Sequence, residues 1–217
     1  MLGPLLYIYC ILQILRPSLL HLVRDHISMP MTYKSCRPGD ALACVSAMNA
    51  VVKEVQNWMS SNRLRLNPAK TQYIWIGTTQ ARQKIDQSVL ASAFPDWKPL
   101  DVVRDFGVLL DGGLTLADHV NSICRSSYYE LRQIRVVRRT LSSDAAATLV
   151  HSFVLSRLDH CNAVLAGLPL FRIKQLQSVL NSAARLLANL PPFAQISDHI
   201  RHNLHWLPIM LIAYATR

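Results

Sequence analysis

Residues 58–77, WMSSNRLRLNPAKTQYIWIG, mark a change from helix to strand that decides the fold of the first half of the chain. The segment before it, Ala41 to Ser60, is predicted to be a helix with Asp40 as N-cap, because valines and a methionine recur along it at helical spacing. Asn67-Pro68 interrupts the chain, since a residue before proline is biased away from helix. The apolar run Tyr73–Ile76 then predicts a strand.

Two further strands are predicted in residues 102–115, VVRDFGVLLDGGLT. Val102-Val103 and Val108–Leu110 are strand-like, and Asp111-Gly112-Gly113 is a strong turn signal. The stretch 78–100, which precedes them, is polar and contains two prolines, so it is predicted to be a loop.

The last third of the chain has the pattern of a helical bundle. Ser142 or Ser143 is the predicted cap of a helix that extends to about Leu165, with Leu149, Phe153, Ser156 and His160 on one face. A second helix is predicted over 171–189 and a shorter third helix over 196–204.

Arginines recur before this bundle with a helical spacing of seven, three and four residues: Arg125, Arg132, Arg135 and Arg139. On a helix over 116–140 this spacing places four guanidinium groups along one stripe, and Arg138 adds to the charge. Guanidinium suits phosphate because its planar fork donates two parallel hydrogen bonds. The five arginines are therefore candidate nucleic-acid-binding residues, and a solvated basic face without a partner is the alternative.

The composition indicates a folded, basic protein. Half of the 217 residues (51%) are hydrophobic and 17% are charged, which is not a disordered composition. The net charge of +10 suits RNA or DNA as a partner, through neutralisation of phosphates, and no motif indicates a small-molecule substrate.

Five cysteines without a CxxC pair favour reduced thiols and a nuclear or cytoplasmic location. The apolar run Met1–Leu15 is shorter than the roughly 20 residues that a simple membrane span needs, so membrane association is only a minor alternative.

Taken in order, these segments resemble the reverse transcriptases of non-long-terminal-repeat (LINE-type) retrotransposons. Residues 58–77 are similar to the palm segment that follows the catalytic aspartates, and residues 102–115 are similar to the element that grips the primer end. The second likeness implies a primer-grip-like role for Phe106, Gly107 and Val108. Residues 127–169, 175–187 and LHWLPI (204–209) resemble the thumb and its continuation, so the likeness covers roughly 37–209.

The resemblance implies an α+β fold, in which a remnant of a polymerase palm sheet precedes a mainly helical, thumb-like bundle. Three parts are expected: a divergent segment 1–36, a palm remnant 37–115 with the primer-grip-like hairpin, and a helical thumb and connection-like region 116–217. Lys70 matches a family lysine that lies near the incoming nucleotide and is a candidate proton donor to the leaving pyrophosphate. The residues alone describe Lys70 as a solvated turn lysine, and we treat it as a vestigial catalytic candidate.

The catalytic aspartates of the family are missing from this sequence. HISMPMTYKSC, residues 26–36, stands where a YADD-type box is expected, and no two adjacent aspartates occur in the chain. Nucleotidyl transfer by two Mg²⁺ ions needs carboxylates that hold the metals, and Met or Pro side chains cannot replace them. We therefore expect no metal site, no cofactor and no polymerase activity. A domesticated helical interaction module and a transposon relic without a selected function are the alternatives to an inactive, nucleic-acid-binding fragment.

A frameshift explains the missing box. Met29-Pro30-Met31-Thr32 is encoded ATG-CCN-ATG-ACN, which spells Ala-Asp-Asp from the third base of the first codon if the proline codon ends in G. The same shift gives Ala-Asp at Leu12-Gln13-Ile14 when the Leu and Gln codons end in G. We hypothesise that residues from about 10 to 32 are a shifted translation of the active-site region.

Overall fold

The computed structural model describes residues 6–11, 31–67, 71–95, 98–160 and 162–211, and in them the chain mixes helices with antiparallel strands. This confirms the predicted mixed α and β composition. The chain divides into two compact units, residues 1–115 and 116–217. Lys70 lies outside the described residues.

A three-stranded antiparallel sheet lies in the first unit, with the order β2-β1-β3. Its strands are β1 (Leu6–Ile11), β2 (Met31–Cys36) and β3 (Gln72–Ile76). The central strand β1 pairs with β2 so that Ile11 lies opposite Met31, and it pairs with β3 so that Ile11 lies opposite Gln72. The predicted strand at Tyr73–Ile76 is confirmed as part of β3.

The predicted first helix is confirmed as α1 (Ala41–Ser61). Asp40 occupies its N-cap position, although the Asp40 side chain forms no capping hydrogen bond. The N-terminal half of α1 is the better buried, since Val45 and Met48 are at most 1% exposed and cluster with Trp75 of β3. This apolar cluster explains why the helix and the strand that follows it fold together.

The predicted loop over 78–100 is wrong, because two short helices form there: α2 (Thr79–Gln83) and α3 (Gln87–Ala93). Both begin at capping side chains. The Thr78 hydroxyl accepts the Ala81 N–H at 3.2 Å, and Asp86 accepts the Ser88 N–H at 3.0 Å. The Ser88 hydroxyl also bonds to Asp86, and these hydrogen bonds hold the pKa of Asp86 below its usual range.

The predicted pair of strands is confirmed as a hairpin of β4 (Val102–Asp105) and β5 (Val108–Asp111). Two residues connect them, Phe106 with φ 44° and Gly107 with φ 87°, as a two-residue hairpin turn of the I′ kind requires. The turn signal at 111–113 follows β5. A Cβ at Gly112 would lie 2.7 Å from the Trp75 carbonyl oxygen, so only glycine fits there.

The second unit is helical in its described part and contains a large apolar cluster and a smaller one. Its helices are α4 (Ala117–Val137), α5 (Ser143–Val150), α6 (Ser156–Asp159), α7 (Leu170–Leu187) and α8 (Ser197–His202). Helices α7 and α8 confirm the predicted helices over 171–189 and 196–204, with slightly different ends. Leu176, Val179 and Ala183 of α7 are all 0% exposed, so α7 forms the centre of this unit.

The predicted helix from Ser142 or Ser143 to about Leu165 is confirmed as far as Asp159, and the Ser142 hydroxyl caps it by accepting the Ala145 N–H at 3.2 Å. A π-helical segment, His151–Leu155, separates α5 from α6, and the helix ends at Asp159. The buried side chains recur every four residues: Ala146, Val150, Val154 and Leu158. An α-helix has 3.6 residues per turn, and a π-helical turn has more. The π-helical segment therefore lets side chains spaced four residues apart all face the core. The four residues predicted to share one face of this helix are mostly exposed. Leu149 is half-buried, whereas Phe153, Ser156 and His160 are exposed.

Candidate nucleic-acid interface

Helix α4 presents one arginine-rich face to solvent and one apolar face to the core of its unit. The exposed arginines are Arg125, Arg132, Arg135 and Arg139, the last just beyond the helix end, and we call them the arginine stripe. The buried residues fall on the other side, for example Leu131 (3% exposed) and Ile134 (4%). The fourteen residue-to-residue steps from Arg125 to Arg139 correspond to about 21 Å of helix. The structure thus places the four arginines where the sequence pattern predicts, on one open face.

The negative charge nearest to the stripe in sequence is already neutralised. Glu130 is the only acid between residues 120 and 140, and its carboxylate accepts a 3.1 Å hydrogen bond from Arg157 of α6. No carboxylate lies within ion-pairing distance of a stripe arginine in the part of the chain that the structure describes. The stripe therefore keeps its positive charge for an external anion.

The Arg138 side chain has hydrogen-bond partners within the chain, unlike the side chains of the stripe. Its guanidinium donates to the carbonyl oxygens of Leu186 (3.3 Å), Leu187 (3.1 Å) and Leu141 (3.3 Å). Arg138 follows the buried Leu131 by seven residues, which places it on the core side of the helix rather than on the stripe. We therefore leave Arg138 out of the stripe, because its hydrogen bonds hold the C-terminal end of α7.

The end of α7 is closed by a backbone motif together with this arginine. Asn189 adopts a left-handed conformation with φ 54°, and the Leu190 N–H bonds to the Arg185 carbonyl at 2.9 Å. The Asn189 N–H bonds to the Leu186 carbonyl, which completes a Schellman motif. Because the last carbonyls of a helix lack partners within it, Arg138 supplies donors that the helix cannot provide.

A groove of about 570 Å³ lies beside the ends of α4 and α7. We call it the arginine groove, and its lining includes four arginines and no acid: Arg135, Val136, Arg138, Arg139, Ser182, Arg185, Leu186, Asn189, Leu190 and Pro192. The Arg185 Nε donates to the Ala194 carbonyl at 2.9 Å, which fixes the loop after α7 to that helix. Arg185 was not among the predicted residues, because it lies 46 residues after Arg139 and only the tertiary fold brings the two together.

We expect Arg138→Gln to lower the stability of the second unit. Hydrogen bonds to a charged group contribute roughly 1.5–3 kcal/mol, and the shorter glutamine amide cannot reach three carbonyls. Urea denaturation followed by circular dichroism measures the change. Arg139→Gln is the matched control, because Arg139 is exposed and should change stability by less than about 0.5 kcal/mol. Equal stability of the two variants would contradict a capping role for Arg138.

The residues predicted to be primer-grip-like lie at the tip of the β4–β5 hairpin in the first unit. Phe106 is 60% exposed and Gly107 is exposed, whereas Val108 is buried (5%). Burial raises the pKa of the neighbouring Asp105, although a hydrogen bond from the Phe106 N–H opposes this shift. The Phe106 ring is therefore exposed at the tip of the hairpin, whereas the Val108 side chain is buried and holds β5 in place.

Other site chemistry is limited in the residues that the structure covers. No group of three or more His, Cys, Asp or Glu side chains there could hold a metal ion. Burial raises the pKa of the Cys124 thiol. None of the helices in the described ranges is long and apolar enough to cross a bilayer.

The sequence matches no protein-family model, and comparison with curated proteins and with solved structures gives no match. The family resemblance therefore stays a prediction that rests on the motifs quoted above. The geometry and charge of the stripe do not depend on that resemblance.

Proposed function

We propose that this chain is a catalytically inactive fragment of a retrotransposon reverse transcriptase that retains nonspecific binding to RNA or DNA. The observation that carries the binding proposal is the arginine stripe: four exposed guanidinium groups along about 21 Å of one helix face. The single acid in this stretch is paired with Arg157 and does not offset the stripe.

The dimensions of the stripe suit a nucleic-acid backbone. Duplex DNA carries one negative charge per roughly 1.7 Å of its axis, so a stripe of this length faces several phosphates at once. Contacts from arginine to phosphate fix position and carry no base information, which is why we propose nonspecific binding. Binding of this kind releases counterions and weakens steeply as salt is added.

The register of the first sheet supports the proposed origin of the chain. Ile11, the last residue of β1, lies opposite Met31, the first residue of β2. The shifted frame would encode one aspartate across Met31 and Thr32, the first two residues of β2, where that strand pairs with the end of β1. A carboxylate is the type of ligand that nucleotidyl transfer by two metal ions requires. Sequencing the gene across these codons tests the frameshift, and codons that cannot give aspartate would contradict it.

We expect no primer extension by the purified chain in the presence of Mg²⁺ and deoxynucleotides. The reason is chemical, since without carboxylates at the palm positions nothing holds the two metals over the primer hydroxyl. The measurement is extension of a labelled primer on an RNA template, with an active reverse transcriptase as positive control. Extension by the chain that persists through repeated purification would overturn the proposed inactivity.

Binding is tested separately, by fluorescence anisotropy of labelled duplex, hybrid and single-stranded oligonucleotides across a salt series. The proposal requires an affinity that falls linearly on a log–log plot against salt concentration and that varies little with base sequence. Affinity that is insensitive to salt would point to a helical protein-interaction module instead.

A further inference from the structure

The arginine groove has exposed apolar side chains beside its charges. Val136 and Leu190, which line it, are 81% and 40% exposed. Phe193 is 98% exposed and directly follows Pro192, another lining residue. A phenylalanine ring so fully in water contributes almost nothing to the stability of the fold, because it removes no apolar area from solvent. Phe193 is one residue away from the lining of a groove that contains four arginines. A ligand that is both anionic and flat suits this combination of side chains.

The loop that carries Phe193 is anchored on both sides. The Leu190 N–H bonds to the Arg185 carbonyl at 2.9 Å, and the Arg185 side chain holds the Ala194 carbonyl at 2.9 Å. Within the loop, the Ala194 N–H bonds to the Pro191 carbonyl at 3.1 Å. These bonds hold the backbone of the loop in place, so presenting the ring to a ligand costs little further ordering.

We propose that the arginine groove binds an unpaired stretch of nucleic acid, with a phosphate at Arg135 and Arg139 and a base stacked on Phe193. This inference rests on the proposed function of the stripe and adds a preference for single strands over duplex. Bases in a duplex are stacked on each other and are shielded from a side chain at the backbone. Every base of a single strand offers a flat π face, so stacking on an aromatic ring is tolerant of sequence.

The four arginines of the groove divide into two pairs with different roles. The side chains of Arg138 and Arg185 donate hydrogen bonds to backbone carbonyl oxygens and are thereby fixed in the wall of the groove. The side chains of Arg135 and Arg139 form no hydrogen bond or ion pair in the described part of the chain. Their guanidinium groups are therefore the ones that can receive a phosphate.

An anionic bilayer is a different partner that could also attract arginines beside an exposed ring. The stripe favours the nucleic acid, because it continues from the groove along one helix face towards Arg125. A line of charge of this kind suits a linear polyanion better than a flat membrane surface. Vesicles containing anionic phospholipid are accordingly included in the test.

The test measures the affinity of the full chain for labelled oligo(dT) of about twelve nucleotides, which is within the range of known single-strand site sizes, and for a duplex of equal length. Three variants separate stacking from apolar contact: Phe193→Ser, Phe193→Leu and Phe193→Trp. Phe171→Ser is the matched control, since Phe171 is also exposed (58%) but lies at the opposite end of α7. Circular dichroism shows whether each variant is folded.

We expect Phe193→Ser and Phe193→Leu to weaken oligo(dT) binding by about tenfold, in line with stacking of one base, and to leave duplex binding within about twofold. Phe193→Trp and Phe171→Ser should bind as the unmodified chain does. Three results would each overturn the inference. They are full affinity of Phe193→Leu for oligo(dT), an equal loss of affinity for single strand and duplex, and a loss of affinity for the vesicles alone. If instead no nucleic acid binds the unmodified chain, the proposed function of the stripe fails as well.

Discussion

Replacing all four stripe arginines by glutamine (R125Q/R132Q/R135Q/R139Q) is expected to reduce duplex affinity by roughly 100-fold or more at moderate salt, because four charge-assisted contacts to phosphate are lost together. The log–log salt slope should become shallower by up to about 3.6, which is four contacts at about 0.9 each. Glutamine has a helix propensity similar to that of arginine, and all four side chains are exposed, so the fold should be retained. Anisotropy titrations across a salt series measure both quantities.

A charge-matched control separates the stripe from the general basic character of the protein. K53Q/K84Q/K98Q/K174Q also removes four positive charges from the net +10, all of them on exposed lysines that do not belong to α4. This control should change the slope by less than about one, since its lysines are not aligned along one helix face. If both quadruple variants lose affinity equally, net charge rather than the stripe drives binding, and our site assignment is incorrect.

Leu176→Ala should destabilise the second unit by about 2–5 kcal/mol, which is the range for truncating a fully buried leucine. Leu176 is 0% exposed and belongs to the largest apolar cluster, together with Val154, Val179 and Leu180. Removing three carbon atoms there leaves a cavity that the surrounding helices can fill only in part. Urea unfolding by circular dichroism, fitted with a shared slope, gives the loss in the free energy of unfolding.

Gln175→Ala is the neighbouring control, because Gln175 is exposed on the same helix and alanine is a strong helix former. Its effect should stay within about 0.5 kcal/mol. If Leu176→Ala were as mild as this control, the second unit would not be packed around α7 as described.

Sequence periodicity predicted the long helices and the hairpin well, because each depends on local patterns. Helix α1 begins at Ala41 as predicted, and α7 begins one residue before its predicted start. The stretch 78–100 was mispredicted because its two short helices depend on the caps Thr78 and Asp86 more than on apolar spacing. Capping side chains can outweigh the loop signal of a polar segment that contains prolines.

The arginine stripe was predictable from spacing alone, whereas the groove was not. Arg125 and Arg139 share a face by simple helical arithmetic. Arg185 joins the site only because the end of α7 packs beside the end of α4, where Arg138 bonds to the carbonyl oxygens of Leu186 and Leu187. Arg138 follows Leu131 by seven residues and Ile134 by four, and this spacing places it on the buried side of the helix rather than on the stripe.

The central position of β1 has a consequence for any shortened version of this protein. Because β1 lies between β2 and β3, the divergent N-terminal segment supplies two of the three strands of the sheet. A product starting at residue 37 would keep β3 but lose the backbone partners of Tyr73 to Ile76 on that side. An unpaired strand edge of this kind recruits other chains, so such a product should form aggregates rather than a smaller soluble domain. The segment that departs most from the family pattern is thus the one on which the solubility of the first unit depends.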